Sequence, residues 1–290
     1  MYLAIFSKLF AESLLSFYSI FVKKINVDLT MQIWSRFFTY VIISAFFVDW
    51  DFIYNTVLSA PGLILSIVTI LHVYSSYRSF QLLDSGVATT LYYIYPIIIL
   101  LFSGTVISPI LLVSIFGVYL ISNDLKKPTA PTENPPTKTT DITAKEHFWN
   151  EGIIAAFTAA ITEAMIFFLV KNLRTTNNWN HLFLSYLFGA IGLTMYVWHN
   201  IETIPLSGGL YSGLSISLLV NACIGLFGYY LRFYAITRLD ANIYAPLSYF
   251  GIIMSYVYGV FLNNDVLSIQ KIIGTLCIVF TNLYILYFVK

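Results

Sequence analysis

Lys8 and Glu12 stand four residues apart inside LAIFSKLFAESLLSFYSIFV, an otherwise apolar run. On a helix this spacing puts ammonium and carboxylate on one face, within reach of each other. At 1.5 Å per residue, Glu12 lies about 14 Å into a helix beginning near Leu3. A charge at mid-bilayer costs about 2.5–3.5 kcal/mol, and a short Glu side chain cannot reach water from there. The pair must therefore face a protein interior. It is either a structural ion pair that plugs the helix into a bundle, or a site where Glu12 meets a cationic substrate group or carries a coupling proton, with Lys8 as partner. Ser16, Ser19 and Lys23 continue the polar face.

Other residues carry the same tension between polarity and apolar surroundings. Arg36, with Gln32 and Tyr40 on its face, is either a snorkelling anchor or a ligand for carboxylate or phosphate. Glu163 lies deep beneath the small residues Ala155 and Ala159, as a buried acid or a second coupling group. Gly213, Ser217, Asn221, Gly225 and Tyr229 recur every four residues, with Arg232 close by. Small residues at that spacing let helices approach closely, while Asn221 can bind a polar substrate group. Arg78 and Arg232 read as interfacial anchors. Tyr92, Tyr93 and Tyr95, then Tyr244, Tyr249 and Tyr256, supply hydroxyls and rings suited to cation–π contact with an amine. Tyr244 and Ser248 flank Pro246, which lacks an amide donor and so frees a backbone carbonyl, as a hinge or as a ligand. The candidate substrate-binding set is Glu12, Arg36, Tyr92, Asn221, Tyr244 and Ser248. The candidate coupling set is Lys8, Glu12 and Glu163.

The elements that must position these residues are membrane helices. The chain is 58% hydrophobic and 10% charged, against about 25% charged for a soluble domain. Runs of about twenty apolar residues recur along it, the length that crosses a bilayer core. Ten spans are expected, near 3–22, 29–48, 57–80, 84–102 and 106–121, then 149–171, 181–198, 209–234, 240–262 and 267–289. The first lacks a basic leader and a small-residue cleavage site, so it reads as a permanent helix. Residues 122–148 are rich in Pro, Thr and charge and read as a disordered linker. They separate a first five-helix unit (1–121) from a second (149–290). A net charge of +1 gives no reason to expect nucleic acid as a partner. Cys223 and Cys277 sit in apolar runs, and the four histidines lack ligand spacing, so neither a disulfide frame nor a metal or other cofactor is expected.

The two units repeat one another. Leu83-Asp84, Leu91, Tyr93 and Ile97 return as Leu239-Asp240, Leu247, Tyr249 and Ile253, and Gly117 in span five returns as Gly274 in span ten. An odd number of spans per repeat turns the second half upside down. Inverted repeats place a substrate site near mid-membrane, with access alternating by rocking.

These features resemble the EamA-type members of the drug/metabolite transporter superfamily. Phe233-Tyr-Ala-Ile-Thr-Arg-Leu-Asp-Ala-Asn242 looks like that family's passage from helix eight to helix nine. Trp34-Ser-Arg36-Phe-Phe38 resembles its arginine-bearing helix two, and Phe116-Gly117 and Ile273-Gly274 resemble the entries to the last helix of each repeat. Ser103-Gly-Thr-Val and Asn263-Asn-Asp265 stand where members often carry Leu-Gly-Glu. The resemblance implies export or exchange of small organic metabolites, with both termini cytoplasmic. The expectation is thus an all-α membrane protein of ten transmembrane helices in two inverted five-helix repeats. It would be a secondary transporter of a small polar, amino-acid-like or amine-containing solute, held in the lipid bilayer as a monomer or homodimer. The alternatives are a membrane-embedded enzyme or a scaffold. For the enzyme, neither Gly-x-Ser-x-Gly nor His-Glu-x-x-His is present.

Overall fold

Helix starts are written into the chain as capping residues. In the computed structural model, residues 1–290 are described except 26, 105–111, 114, 115, 118, 121–139, 201–212, 265, 266, 289 and 290. The helices of the first half are α1 (Tyr2–Ser16), α2 (Tyr18–Lys24), α3 (Leu29–Ala45), α4 (Trp50–Thr56), α5 (Ala60–Leu82), α6 (Ser85–Tyr92) and α7 (Tyr95–Phe102). Those of the second half are α8 (Thr140–Asn172), α9 (Asn178–His199), α10 (Gly213–Ile236), α11 (Ala241–Leu247), α12 (Phe250–Asn263) and α13 (Ile269–Phe288). Asp28 caps α3 by accepting from the Thr30 amide at 2.7 Å, and Asn177 caps α9 by accepting from the Trp179 amide at 3.0 Å. Ser59 caps α5, with Pro61 in the first turn where a missing N–H costs nothing. Among the described residues there is no strand.

Seven stretches of described helix are long and apolar enough to cross a membrane, and α13 contributes a shorter apolar stretch, Ile269–Thr281. The expected spans one to four and six to ten each have a helix or helix pair at their place. The expected fifth span falls mostly outside the described residues. Two details differ from expectation. The short helix α4 lies between spans two and three. The linker reading must also be corrected at its end: α8 begins at Thr140, so 140–148 are helical and the second half starts earlier than residue 149. Ala144, Lys145 and Glu146 are good helix formers, and composition grouped them with the Pro/Thr-rich stretch before them. The rest of that stretch, 122–139, lies outside the described residues.

Span four and span nine break at matching places. α6 ends at Tyr92 and α7 opens at Tyr95. α11 ends at Leu247 and α12 opens at Phe250. At both breaks the backbone tightens to bonds across three residues, Ile94 N to Leu91 O and Tyr249 N to Pro246 O. Pro96 cannot donate to the Tyr92 carbonyl, which explains the first break. The repeated aspartates, Asp84 and Asp240, are the N-cap residues of α6 and α11. Span one is broken too, at Phe17.

Packing follows a pattern that survives exchange of the halves. α5 packs on α8, and α1 on α10, so span three meets six as eight meets one. α5 and α9 meet as α10 and α3 do, which is three with seven and eight with two. Spans two and seven pair directly (α3 with α9), as do four and nine (α6 with α12). In spans five and ten, Gly117 lies so close to Gly274 that a Cβ there would stand 2.5 Å from the Gly274 carbonyl oxygen. Gly225 likewise admits the Tyr18 and Tyr40 hydroxyls between α10 and its neighbours. The polarity is inside out for a soluble protein: Phe46, Tyr74, Phe102 and Phe261 lie on the outer surface, while Lys8, Glu12, Glu163 and Arg232 are buried. That distribution suits a lipid solvent.

Candidate functional site

Burying a charge in lipid requires a partner for it, and the central charges find each other. Lys8 and Glu12 form the expected i,i+4 ion pair on α1, with both side chains 0% exposed. Arg232, from α10, closes on Glu12 with one nitrogen 3.0 Å from each carboxylate oxygen. Its other terminal nitrogen donates to Glu163 Oε1 at 2.7 Å and to the Tyr92 hydroxyl at 2.9 Å. The planar guanidinium fork suits this double duty, since it offers several donors at fixed angles. The Tyr93 hydroxyl donates to Glu12 Oε2. Lys8 also donates to Tyr95 Oη at 3.2 Å and sits 3.7 Å from the centre of the Tyr244 ring. Gly251 makes room for this knot: a Cβ there would fall 2.0 Å from the Tyr93 hydroxyl and 3.0 Å from Glu12 Oε2.

A histidine extends the cluster. His72 Nδ1, from α5, lies 3.1 Å from the Ala159 carbonyl, and Nε2 lies 2.9 Å from the Tyr229 hydroxyl and 3.3 Å from Glu163 Oε2. Glu163 Oε2 otherwise has no hydrogen-bond partner. With Nδ1–H donating to Ala159, Nε2 accepts from Tyr229 and offers the carboxylate nothing. A further proton on Nε2 would turn that contact into an ion pair.

Arg36 forms a second centre. It is 3% exposed and donates to the Tyr186 hydroxyl at 2.8 Å. Its guanidinium carbon lies 4.7–5.5 Å from the ring centres of Tyr18, Tyr40, Tyr77, Tyr186 and Tyr229. A narrow cavity joins the two centres. Arg36, His72, Tyr92, Tyr93, Tyr229 and Arg232 line it. Among the described residues, no group of His, Cys, Asp and Glu is disposed to hold a metal ion.

This polar heart within an apolar helical shell has known relatives. The sequence matches the EamA-like transporter family over residues 150–287. The match covers just under half of the chain and supports membership of the drug/metabolite transporter superfamily. No curated protein matches the chain. A solved crystal structure, described only as that of a protein, shares the fold at 14% identity, with a TM-score of 0.61 over 96% of each chain. The EamA match bears out the drug/metabolite transporter resemblance. With the long apolar helices, it makes the chain an integral membrane protein. The family points to a non-enzymatic transporter.

Within the helical bundle most of the candidate residues converge. Lys8, Glu12, Glu163, Tyr92 and the Tyr244 ring belong to the first centre. Arg36 belongs to the second, and it does not snorkel. Asn221 lies beside it: its Nδ2 is 3.5 Å from the Tyr77 hydroxyl, its carbonyl accepts from Tyr18, and its Oδ1 has no partner. Ser248 is buried, but its hydroxyl donates to the Tyr244 carbonyl of its own helix at 3.2 Å. The side chains of Ser19 and Lys23 are outside the described set. Gln32 donates to the carbonyls of Ile25 and Val27 and so holds the turn before α3.

The reading of Arg232 as an interfacial anchor is overturned. It is 1% exposed and binds both acids. The anchor reading fits Arg78, which is 28% exposed and pairs with Glu151 at 2.7 Å. His72 and Tyr186 are further residues of the two centres that spacing did not single out, and Tyr93, named among the tyrosines, stood outside the candidate binding set. The missed signal for Arg232 was its place three residues after Tyr229, continuing the Asn221–Gly225–Tyr229 stripe.

Proposed function

We propose that this protein is a secondary transporter of a small polar, amino-acid-like metabolite, working by alternating access around the buried centres. The observation that carries the reading is the bridge at Arg232. One acid comes from the opening span of each half, Glu12 and Glu163, and both bind one arginine in the middle of the helical bundle. If the halves rock against each other, one of those contacts must loosen, so the bridge is suited to linking solute binding to closure. The exchange-symmetric packing and the paired breaks in spans four and nine support two inverted five-helix repeats. Arg36, Tyr92, Asn221 and Tyr244 supply the binding surface in this reading, and Lys8, Glu12 and Glu163 the coupling groups, with His72 beside them. This reading puts both termini on the cytoplasmic side, as the family resemblance implies.

The test is uptake and efflux of a labelled metabolite panel by proteoliposomes, with and without a pH gradient. Saturable movement of at least one solute, abolished by Arg232→Gln, is expected. A chain that reconstitutes as folded protein yet moves none of the panel in either direction would overturn the reading.

A further inference from the structure

The two centres differ in charge balance, and the difference bears on the solute. In the first centre two cations, Lys8 and Arg232, face two acids, Glu12 and Glu163. In the second, Arg36 stands alone. No acid among the described residues lies within salt-bridge distance of it, and its Nε has no hydrogen-bond partner. A bare guanidinium in a low-dielectric interior is costly. Five tyrosine rings reduce that cost by presenting their π-faces and hydroxyls, but none brings a negative charge. This guanidinium also lines the cavity.

Resting on the transport reading above, we infer that the solute carries a carboxylate and that Arg36, in its tyrosine cage, is the carboxylate's anchor. One uncompensated positive charge matches one negative charge, which favours a carboxylate over a phosphate dianion. A guanidinium binds a carboxylate through paired, charge-assisted hydrogen bonds, and Nε is one of the donors such pairing uses. The second unpartnered atom completes the recognition. Asn221 Oδ1 is an acceptor on a residue 2% exposed, whose Nδ2 lies 3.5 Å from the Tyr77 hydroxyl and whose backbone carbonyl accepts from Tyr18. It suits a donor on the same solute, an ammonium or hydroxyl near the carboxylate. The class is therefore a small α-amino or α-hydroxy carboxylate. A purely cationic amine would leave Arg36 unpaired and add a second like charge.

Purified protein in nanodiscs would be titrated with L-methionine, L-phenylalanine, L-glutamate and L-lactate, each beside its carboxamide, and with inorganic phosphate. Binding would be followed by calorimetry. At least one carboxylate should bind, with its carboxamide at least tenfold weaker. Arg36→Gln should lose that binding at least tenfold, and Arg78→Gln should keep it. Should Arg36→Gln fail to fold, phenylglyoxal labelling of wild-type Arg36, read by mass spectrometry, replaces it. The bound carboxylate should protect Arg36, and its carboxamide should not. The inference is overturned if no carboxylate binds, if acid and amide bind alike, if phosphate alone binds, or if neither the variant nor the labelling involves Arg36. Carboxylates that bind at Arg36 but cross no vesicle would sink the transport reading and leave this one standing. A transported solute indifferent to Arg36 would do the reverse.

Discussion

Glu12 and Glu163, from the opening spans of opposite halves, meet on a single guanidinium: Arg232 holds Glu12 at 3.0 Å and Glu163 at 2.7 Å. Three elements, α1, α8 and α10, are therefore tied through one side chain at the core. Each acid has a further partner that can compete with Arg232. For Glu12 it is Lys8, and for Glu163 it is His72. A bridge with a competitor at each end can hold more than one arrangement, which is what an alternating machine requires.

Glu12→Gln should leave Lys8 and Arg232 short of negative charge. Breaking one partner out of a buried ion cluster costs about 3–5 kcal/mol, so the thermal midpoint should fall clearly and transport should be lost. Adding Lys8→Met removes the surplus cation. The double variant should regain much of the lost stability without regaining transport. Thermal unfolding in nanodiscs and proteoliposome flux would check the two halves of this expectation. A double variant no more stable than Glu12→Gln would mean that Lys8 is not compensated by Glu12.

Arg232→Lys should behave very differently from Arg78→Lys. Arg232 makes four directed bonds to two acids and a tyrosine, and a single ammonium cannot span them. Flux should drop at least tenfold. Arg78 is partly exposed and pairs with Glu151 at a helix end, where surface pairs contribute about 0–1 kcal/mol. Its lysine variant should retain most activity. Equal losses from the two substitutions would contradict the division between centre and anchor.

Much of this was legible in the sequence, for a reason that also explains the rest. Apolar runs of membrane-spanning length announce the helices, and a Lys–Glu pair inside one has to be used, because lipid makes idle charge expensive. Lys8, Glu12 and Glu163 stood out on that ground alone. Arg232 did not, because a long side chain four residues from its helix end can snorkel out, and only the packing of α1 and α8 against α10 decides that it turns inward. His72 is a lone histidine in its span, and its partners come from α8 and α10, which sequence spacing cannot bring together. Tyr186 is one of 22 tyrosines, with nothing local to single it out as the acceptor for Arg36. The early start of α8 was hidden because its first turns share their charged composition with the segment before it.

Gly251→Ala tests the geometry at Glu12 with one methyl group. The added carbon would stand 2.0 Å from the Tyr93 hydroxyl, so Tyr93 must leave Glu12 or the helices must part. Overpacking of this kind costs about 1–3 kcal/mol. Transport should fall at least fivefold. Tyr93→Leu in the same chain removes both the clashing hydroxyl and the ring carbon behind it, 2.5 Å from the added methyl, and should restore much of the stability. Restored transport as well would show that the Tyr93–Glu12 hydrogen bond is dispensable. Stability restored without transport would show that it serves function. A crystal structure of Gly251→Ala with Tyr93 still on Glu12 would contradict the argument.

His72 should set how flux responds to pH. Its Nε2 faces Glu163 Oε2 at 3.3 Å across a contact that lacks a proton, while Tyr229, Tyr92, Arg36 and Arg232 surround it from α10, α6 and α3. Histidine takes a proton between about pH 5 and 8 where water reaches it, which for this buried ring means when access opens the centre. Once protonated, Nε2 donates to Glu163 and draws that acid away from Arg232. His72 belongs to the first half and Glu163 to the second, so this ion pair adds a tie between the halves as pH falls, and wild-type flux should fall in the same direction. His72→Gln can still donate to a carbonyl but cannot take up the proton, so its flux should vary much less with pH while some activity remains at every value. Proteoliposomes held at equal pH on both faces, stepped from about 5.5 to 8, isolate this effect from any driving gradient. A His72→Gln profile as steep as the wild type would move the pH response to another group, and Lys8–Glu12 would be the pair to test next.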